Sequence, residues 1–202
     1  MIDQRDSLGR SERRDCSHPD MILEHAKRVM NITRQISEFS TPQSTEPQFL
    51  DLNNLIRKTA KFVSFDRRFG AIDLVLNLDP QLPAVFAVND HVTQVIINLL
   101  VNAADAMEGK TDSKPRIVIS TCLREGCAMV TVTDNGTGMS KNTLEHVFEE
   151  YFTTKPSGKG SGIGLSVSRS LIESDGGKIG IKSELGTGTE MTIQLPIATN
   201  NL

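Results

Sequence analysis

The sequence predicts a two-layer α/β sandwich, with a mixed, mostly antiparallel sheet carrying helices on one face, preceded by a single N-terminal helix. Alternating apolar runs fall in pairs around short turns, RIVISTCL with AMVTVTD and KIGIKSE with TEMTIQLP, which reads as two hairpins. Segments with helical apolar period stand between them. The resulting order of helix, strands, helix, hairpin, loop, helix and hairpin places the helices together on one side of the strands. At 202 residues the chain can bury a real core and carry an appendage.

Residues 1–20 are polar and charged, without apolar period, and read as a loop. Periodicity starts at Met21. Ile22, Ala26, Val29, Thr33 and Ile36 form an apolar stripe up to Phe39, opposite Glu24, Lys27, Arg28 and Arg34. STPQSTEP then breaks the helix with two prolines and reads as a linker. Asp51 is a candidate N-cap for a helix from Leu52 to about Phe65. AIDLVLNL and AVFAV read as strands, and Asn89 or Asp90 is expected to cap a helix over 92–107. Lys141–Val147 reads as a short helix. A further helix runs from Ser166 to Ser174 and stops at Asp175-Gly176-Gly177.

A net charge of −3 and a pI near 5.8, with no basic stripe interleaved with aromatics, exclude a general nucleic-acid binder. No apolar run approaches the roughly 20 residues of a membrane span. Cys16, Cys122 and Cys127 have no CxxC spacing and read as free thiols in a reducing compartment. Cys122 and Cys127 flank the LREG turn and could lie close together.

Chemistry concentrates in three places. On the helix over 92–107, Asn98, Asn102 and Asp105 are spaced i, i+4 and i+7 and share one face, whereas Val95, Ile96, Leu99, Leu100 and Ala103 are apolar. A polar line on such a helix is costly to bury unless it meets a ligand or a partner. Structural amides bonded to a neighbouring loop would meet that demand; so would a carboxamide pair holding hydrated Mg²⁺ beside a triphosphate, because Mg²⁺ takes oxygen ligands and keeps several waters. Asp134 ends a strand and enters DNGTGM, where Gly136 and Gly138 permit close backbone approach. A tight turn would also explain DNG; an acceptor for the exocyclic amine of adenine is the functional alternative. Finally, Phe148 and Phe152 lead through Thr153, Thr154 and Lys155 into a run with Gly158, Gly160, Gly162 and Gly164. Successive N–H groups there, followed by a helix N-terminus, form an anion cradle, with Lys155 and Lys159 as candidate phosphate contacts.

Taken together, NLLVNAADA, DNGTGM, VFEEYFTTK, GKGSGIGLSVS and GTGTEMTIQLP resemble, in order, the N box, the first glycine box, the F box, the second glycine box and the closing strand pair of the catalytic and ATP-binding domain of sensor histidine kinases. That domain has the Bergerat (GHKL) fold, shared with DNA gyrase, mismatch-repair ATPases and a class of chaperones. The resemblance covers about residues 21–197 and points to the nitrogen-regulator-like kinases. It implies residues 21–45 as the second helix of a dimerisation hairpin plus linker and 46–202 as the catalytic domain. It implies ATP and Mg²⁺ as ligands, Asn98 and Asn102 toward the metal, and Asn98, Asn102 and Lys155 in phosphoryl transfer. The nucleotide contacts it implies are Asn102, Asp105, Asp134, Gly136, Gly138 and Met139. Further along they are Phe152, Thr153, Thr154, Lys155, Gly158, Lys159, Gly160, Ser161, Gly162, Ile163, Gly164, Leu165 and Thr189. A response-regulator receiver domain, a homodimeric parent and a bacterial, cytoplasmic setting are implied by the same likeness.

Two departures bear on activity. The ATP-hydrolysing members of the superfamily place a glutamate where this chain has Asn98, and an amide cannot take a proton from water near neutral pH. Some kinases carry lysine where Asp105 stands, so charge neutralisation is expected from Mg²⁺ and from Lys155 or Lys159. None of His18, His25, His91 and His146 sits in a His–acid box followed by proline. The acceptor histidine, on the first helix of the family's hairpin, is therefore expected outside this chain. A nucleotide-binding interaction module of the same fold, without kinase activity, is the alternative.

Overall fold

The computed structural model describes residues 46–109, 113–155 and 161–198, all within the second of two compact units, Gln43–Leu202. The expected helix Met21–Phe39, Cys16, His18, His25, Gly158, Lys159 and Gly160 lie outside the described residues. The elements are β1 (Gln48–Leu50), α1 (Leu52–Val63), a 3₁₀ turn (Arg67–Phe69), β2 (Asp73–Leu78), β3 (Val85–Ala87), α2 (Asn89–Ala106), β4 (Arg116–Arg124), β5 (Cys127–Asp134), α3 (Lys141–His146), α4 (Gly164–Ser174), β6 (Lys178–Glu184) and β7 (Gly188–Pro196).

The main sheet has five strands in the order β2-β4-β5-β7-β6. β2 runs parallel to β4 and every other neighbour is antiparallel, so the sheet is mixed, as expected. The β4–β5 hairpin closes at Glu125-Gly126, both at positive φ, a two-residue turn whose twist matches that of the strands. Its register sets Cys122 opposite Met129 and Cys127 opposite Arg124, and both cysteines are free. β1 and β3 form a separate two-stranded sheet that local pattern does not reveal, since QFL is too short to show alternation.

One face of the main sheet carries the helices. Ile117 and Ile119, Ala128, Val130 and Val132, and Met191, Ile193 and Leu195 point inward, against Val92, Val95, Ile96, Leu99, Leu100 and Ala103 of α2. Each such large side chain contributes about 1.5–3 kcal/mol of burial, which makes α2 the keystone of the core. Asp51 caps α1 as expected, accepting from the N–H of Asn54 at 2.9 Å. At α2 the expectation fails. Val88 is the N-cap and has no capping side chain, while Asn89 lies inside the helix and accepts from Thr93. The carboxylate comes from the far end of α4 instead: Asp175 Oδ1 accepts from the N–H of Val88 at 3.4 Å and lies 3.3 Å from His91 Nδ1. A negative group there also suits the helix dipole. α4 begins two residues earlier than expected, at Gly164. Among the described residues, no helix is long and apolar enough to cross a membrane.

A buried polar triangle fixes α1 to the sheet. Asn53 Nδ2 donates to the Asp79 carbonyl at 2.6 Å, Thr121 Oγ1 donates to Asn53 Oδ1 at 2.9 Å, and the Asp79 N–H donates to Thr121 Oγ1 at 2.9 Å. Asn53→Ala strands two of these groups away from water. It is expected to lower unfolding free energy by about 2–3 kcal/mol in urea titration, and a loss under about 0.5 kcal/mol would contradict this account.

Candidate functional site

Strand register builds one wall of the site. Inward positions along β5 read Ala128, Val130, Val132 and Asp134, so the apolar series ends on an acid. Asp134 pairs with Thr189 on β7, which pairs with Ser183 on β6. Three polar groups thus form a row across the end of the sheet, with Ser183 Oγ and Thr189 Oγ1 2.9 Å apart. Asp134 is 8% exposed, and its Oδ1 accepts from the N–H of Gly136 at 2.8 Å. The turn is tied down on two sides. The Thr137 N–H donates to the Ala106 carbonyl at the end of α2, and the Gly186 N–H donates to the Thr137 carbonyl. Gly138 has φ +62°, and a Cβ there would collide with the Glu184 carbonyl. Here glycine is a steric requirement, not a preference. Met139 follows, half-buried.

The facing wall is the polar line of α2, and it is assembled as its spacing implies. Asn98 Nδ2 donates to Ser168 Oγ on α4 at 2.9 Å, and Asn102 Nδ2 donates to Asn98 Oδ1 at 3.4 Å. Lys155 Nζ donates to Asn102 Oδ1 at 3.1 Å and to Asp105 Oδ2 at 2.7 Å. Asp105 Oδ1 in turn accepts from Arg68 at 3.2 Å. Arg68 is anchored by Asp66 through Nε at 3.1 Å and its second terminal nitrogen at 2.7 Å. That side-chain hydrogen bond, before the Coulombic attraction, holds the Asp66 carboxyl below its ordinary range. A continuous chain of side chains therefore runs from Asp66 to Ser168.

α4 reaches this line because its first residue is glycine. A Cβ at Gly164 would come within 2.6 Å of Asn98 Oδ1. Ser168 also donates to the Gly164 carbonyl at 2.8 Å, so one hydroxyl serves both helices. Gly162, at φ +68°, rests on the backbone of Tyr151, itself at φ +66°. Ser161 and Ile163 are exposed, and Leu165 packs on the core. Phe152 is half-buried with its ring 5.8 Å from that of His146, while Thr153 and Thr154 are exposed. Thr153 Oγ1 accepts from the Lys155 N–H at 3.1 Å and turns the chain toward α2. Phe148 packs against the core under the guanidinium of Arg169.

The structure thus brings Asn98, Asn102, Asp105, Lys155 and Gly164 together, and Asp134, Gly136, Gly138 and Thr189 around the end of β5. Sequence reasoning missed Arg68, Ser168 and Ser183 as parts of it. Arg68 lies 37 positions before Asp105, and no local pattern announces it. Ser168 sits one turn beyond Gly164, the only sequence-level hint it gives. As a metal site the donor set is of hard oxygens, the two carboxamides of Asn98 and Asn102 one turn apart, which fits a largely hydrated Mg²⁺ and not a soft metal, while both oxygens of Asp105 are taken by Arg68 and Lys155. Among the described residues there is no cluster of three or more His, Cys, Asp or Glu to hold a metal without help.

This fold and these walls define a nucleotide-binding α/β sandwich of the Bergerat type. The profile described as histidine kinase-, DNA gyrase B- and HSP90-like ATPase matches residues 87–199, more than half the chain, and the chain belongs to that family. Sensor histidine kinase ZraS of Escherichia coli is 32% identical over 178 residues, covering 88% of this chain and 37% of ZraS. Sensor protein FixL of Bradyrhizobium diazoefficiens is 31% identical over 182 residues, covering 90% and 35%. The chain therefore spans little more than a third of the length of these relatives. The solved catalytic domain of histidine kinase ThkA superposes with a TM-score of 0.64 at 29% identity, covering 75% of this chain and 96% of that one.

Gly138→Ala is expected to cost at least about 2 kcal/mol, read as a melting temperature lower by about 5 °C or more. Gly186→Ala, also at positive φ but in open space, should cost clearly less, and equal losses would refute the collision. His146 lies 2.8 Å from Glu149, whose hydrogen bond raises the imidazole above its ordinary value. Any stability from this pair is therefore present while the ring is protonated and fades as pH rises through the raised value. In an NMR titration Glu149→Gln should move the His146 midpoint down; an unmoved midpoint would exclude Glu149 as the cause.

Proposed function

We propose that this chain is the ATP-binding catalytic module of a two-component sensor histidine kinase. In this reading it delivers the γ-phosphoryl of ATP to a histidine on a dimerisation helix, for relay to an aspartate of a response-regulator receiver domain. The carrying observation is the polar line of α2, drawn against the glycine-led start of α4 and faced by Lys155. The identities to ZraS, FixL and the ThkA catalytic domain support the same reading.

Each residue then has a chemical task. Asp134 accepts the exocyclic amine of adenine on a carboxylate that can take several hydrogen bonds at once, so its bond to Gly136 is compatible with the ligand. The turn Gly136–Gly138 and Met139 line the base, and Thr189 beside Asp134 holds that carboxylate's surroundings polar. Asn98 and Asn102 present oxygens to Mg²⁺. Bound there, Mg²⁺ supplies charge neutralisation across the phosphates. Lys155, Lys159 and the N–H groups of 158–165 embrace the phosphates at the start of α4. Asn98 cannot serve as a base for water, so transfer is favoured over hydrolysis. The parent protein would be a homodimer, with the accepting histidine on its dimerisation helix.

A fluorescent ATP analogue titrated into the chain with Mg²⁺ tests this directly. Binding is expected, with Asn102→Ala and Asp134→Ala each weakening it about tenfold or more, the scale of one charged hydrogen bond. No binding at millimolar nucleotide would end the proposal. With γ-labelled ATP, the chain by itself is expected to gain little acid-labile label, and a two-helix acceptor fragment from a related kinase should gain it on addition; strong label on the chain itself would refute the acceptor assignment.

A further inference from the structure

Lys155 does more than stand near the site. Its ammonium group touches the Asn102 oxygen at 3.1 Å and the Asp105 carboxylate at 2.7 Å. The first of these is the oxygen offered to Mg²⁺ under the nucleotide reading, and its rivalry with the ammonium matters only if that reading holds. An ammonium and a divalent ion cannot share one carboxamide oxygen, because they repel at that range in a partly desolvated site. Lys155 is one-third exposed and Asp105 less than a quarter, so the pair is only partly screened. Asp105 itself is shared. Its other oxygen faces Arg68, which Asp66 fixes through Nε and a terminal nitrogen and so keeps from swinging away.

We propose that Asp105 is a latch holding the Lys155 ammonium on the Asn102 oxygen until a metal-bound nucleotide displaces it, with Arg68 setting the strength of the hold by competing for the same carboxylate. Displacement does two things at once. It frees the carboxamide for Mg²⁺, and it releases a cation on the segment leading into the glycine run, where the triphosphate can take it. Lysine and metal thus exchange places at the Asn102 oxygen. Asp105 is a positioning residue here, acting through where it holds the Lys155 charge.

The latch reverses the effect expected from simple charge. A carboxylate beside a metal site ordinarily helps Mg²⁺, and a nearby guanidinium ordinarily hinders it. If Asp105 instead secures the competing ammonium, its removal lets Mg²⁺ in more easily. Removing Arg68 leaves Asp105 wholly to Lys155 and makes entry harder.

The test is a Mg²⁺ titration of the full chain with a fixed, limiting amount of fluorescent ATP analogue, scored by the midpoint. Asp105→Asn is expected to lower the Mg²⁺ midpoint about threefold, the scale of a partly exposed ion pair. Arg68→Gln is expected to raise it by a similar factor. Lys155→Gln, on an accessible segment, should lower the midpoint yet weaken nucleotide at saturating Mg²⁺, and it stands in if Asp105→Asn fails to fold by circular dichroism. If wild type binds the analogue but Asp105→Asn raises the midpoint, or Arg68→Gln lowers it, or neither moves, the latch is wrong while the nucleotide site stands. If wild type binds no nucleotide at any Mg²⁺ concentration, both fall together.

Discussion

A line of two amides and one acid along an otherwise apolar helix can leave water only if each member finds a partner. α2 must bury Val92, Ile96, Leu99 and Leu100 against the sheet, and that packing fixes the direction in which Asn98, Asn102 and Asp105 point. Unpartnered, each would cost more than a typical surface hydrogen bond returns. The structure answers with Ser168, Lys155 and Arg68, drawn from three separate segments. The positions of α4, of the Phe152–Lys155 segment and of the 3₁₀ turn all answer this one demand.

The second wall obeys a simpler geometry. Alternation along β5 puts every second residue under the helices, and the inward series runs on one position past its last apolar member. Asp134 therefore arrives at the inner face because the period does not stop, and Thr189 and Ser183 continue the row by register alone. The glycines at 136 and 138 let the chain turn immediately beside the acid. Any side chain at Gly138 would occupy the space between the end of β5 and the β6–β7 turn.

The two walls differ in stiffness. The turn after β5 is held by backbone hydrogen bonds to Ala106 and Gly186, whereas the other wall is held by side chains with water at their edges. Salt and counter-charges act on the second far more than on the first. A site with one fixed and one adjustable wall suits a ligand that has a flat base at one end and a variable charge at the other. It also places the adjustable charges on the segment that leads into the glycine run.

The hairpins, the interleaved helices and the shared face of Asn98, Asn102 and Asp105 were legible from residue order alone, since periods of 2 and 3.6 are local properties that neighbours enforce. So were the acid at the end of β5 and the glycine run that leads into α4, because each is written within a few consecutive residues, although the helix starts two residues before the expected Ser166. The edge pairing of QFL, the capping of α2 by Asp175, and the parts played by Arg68 and Ser168 emerged only when the chain was folded. All of these join residues many positions apart, and no local pattern ranks one distant hydroxyl or guanidinium above another. Ser168 depends in addition on how closely two helices approach, which the missing Cβ of Gly164 permits but does not specify.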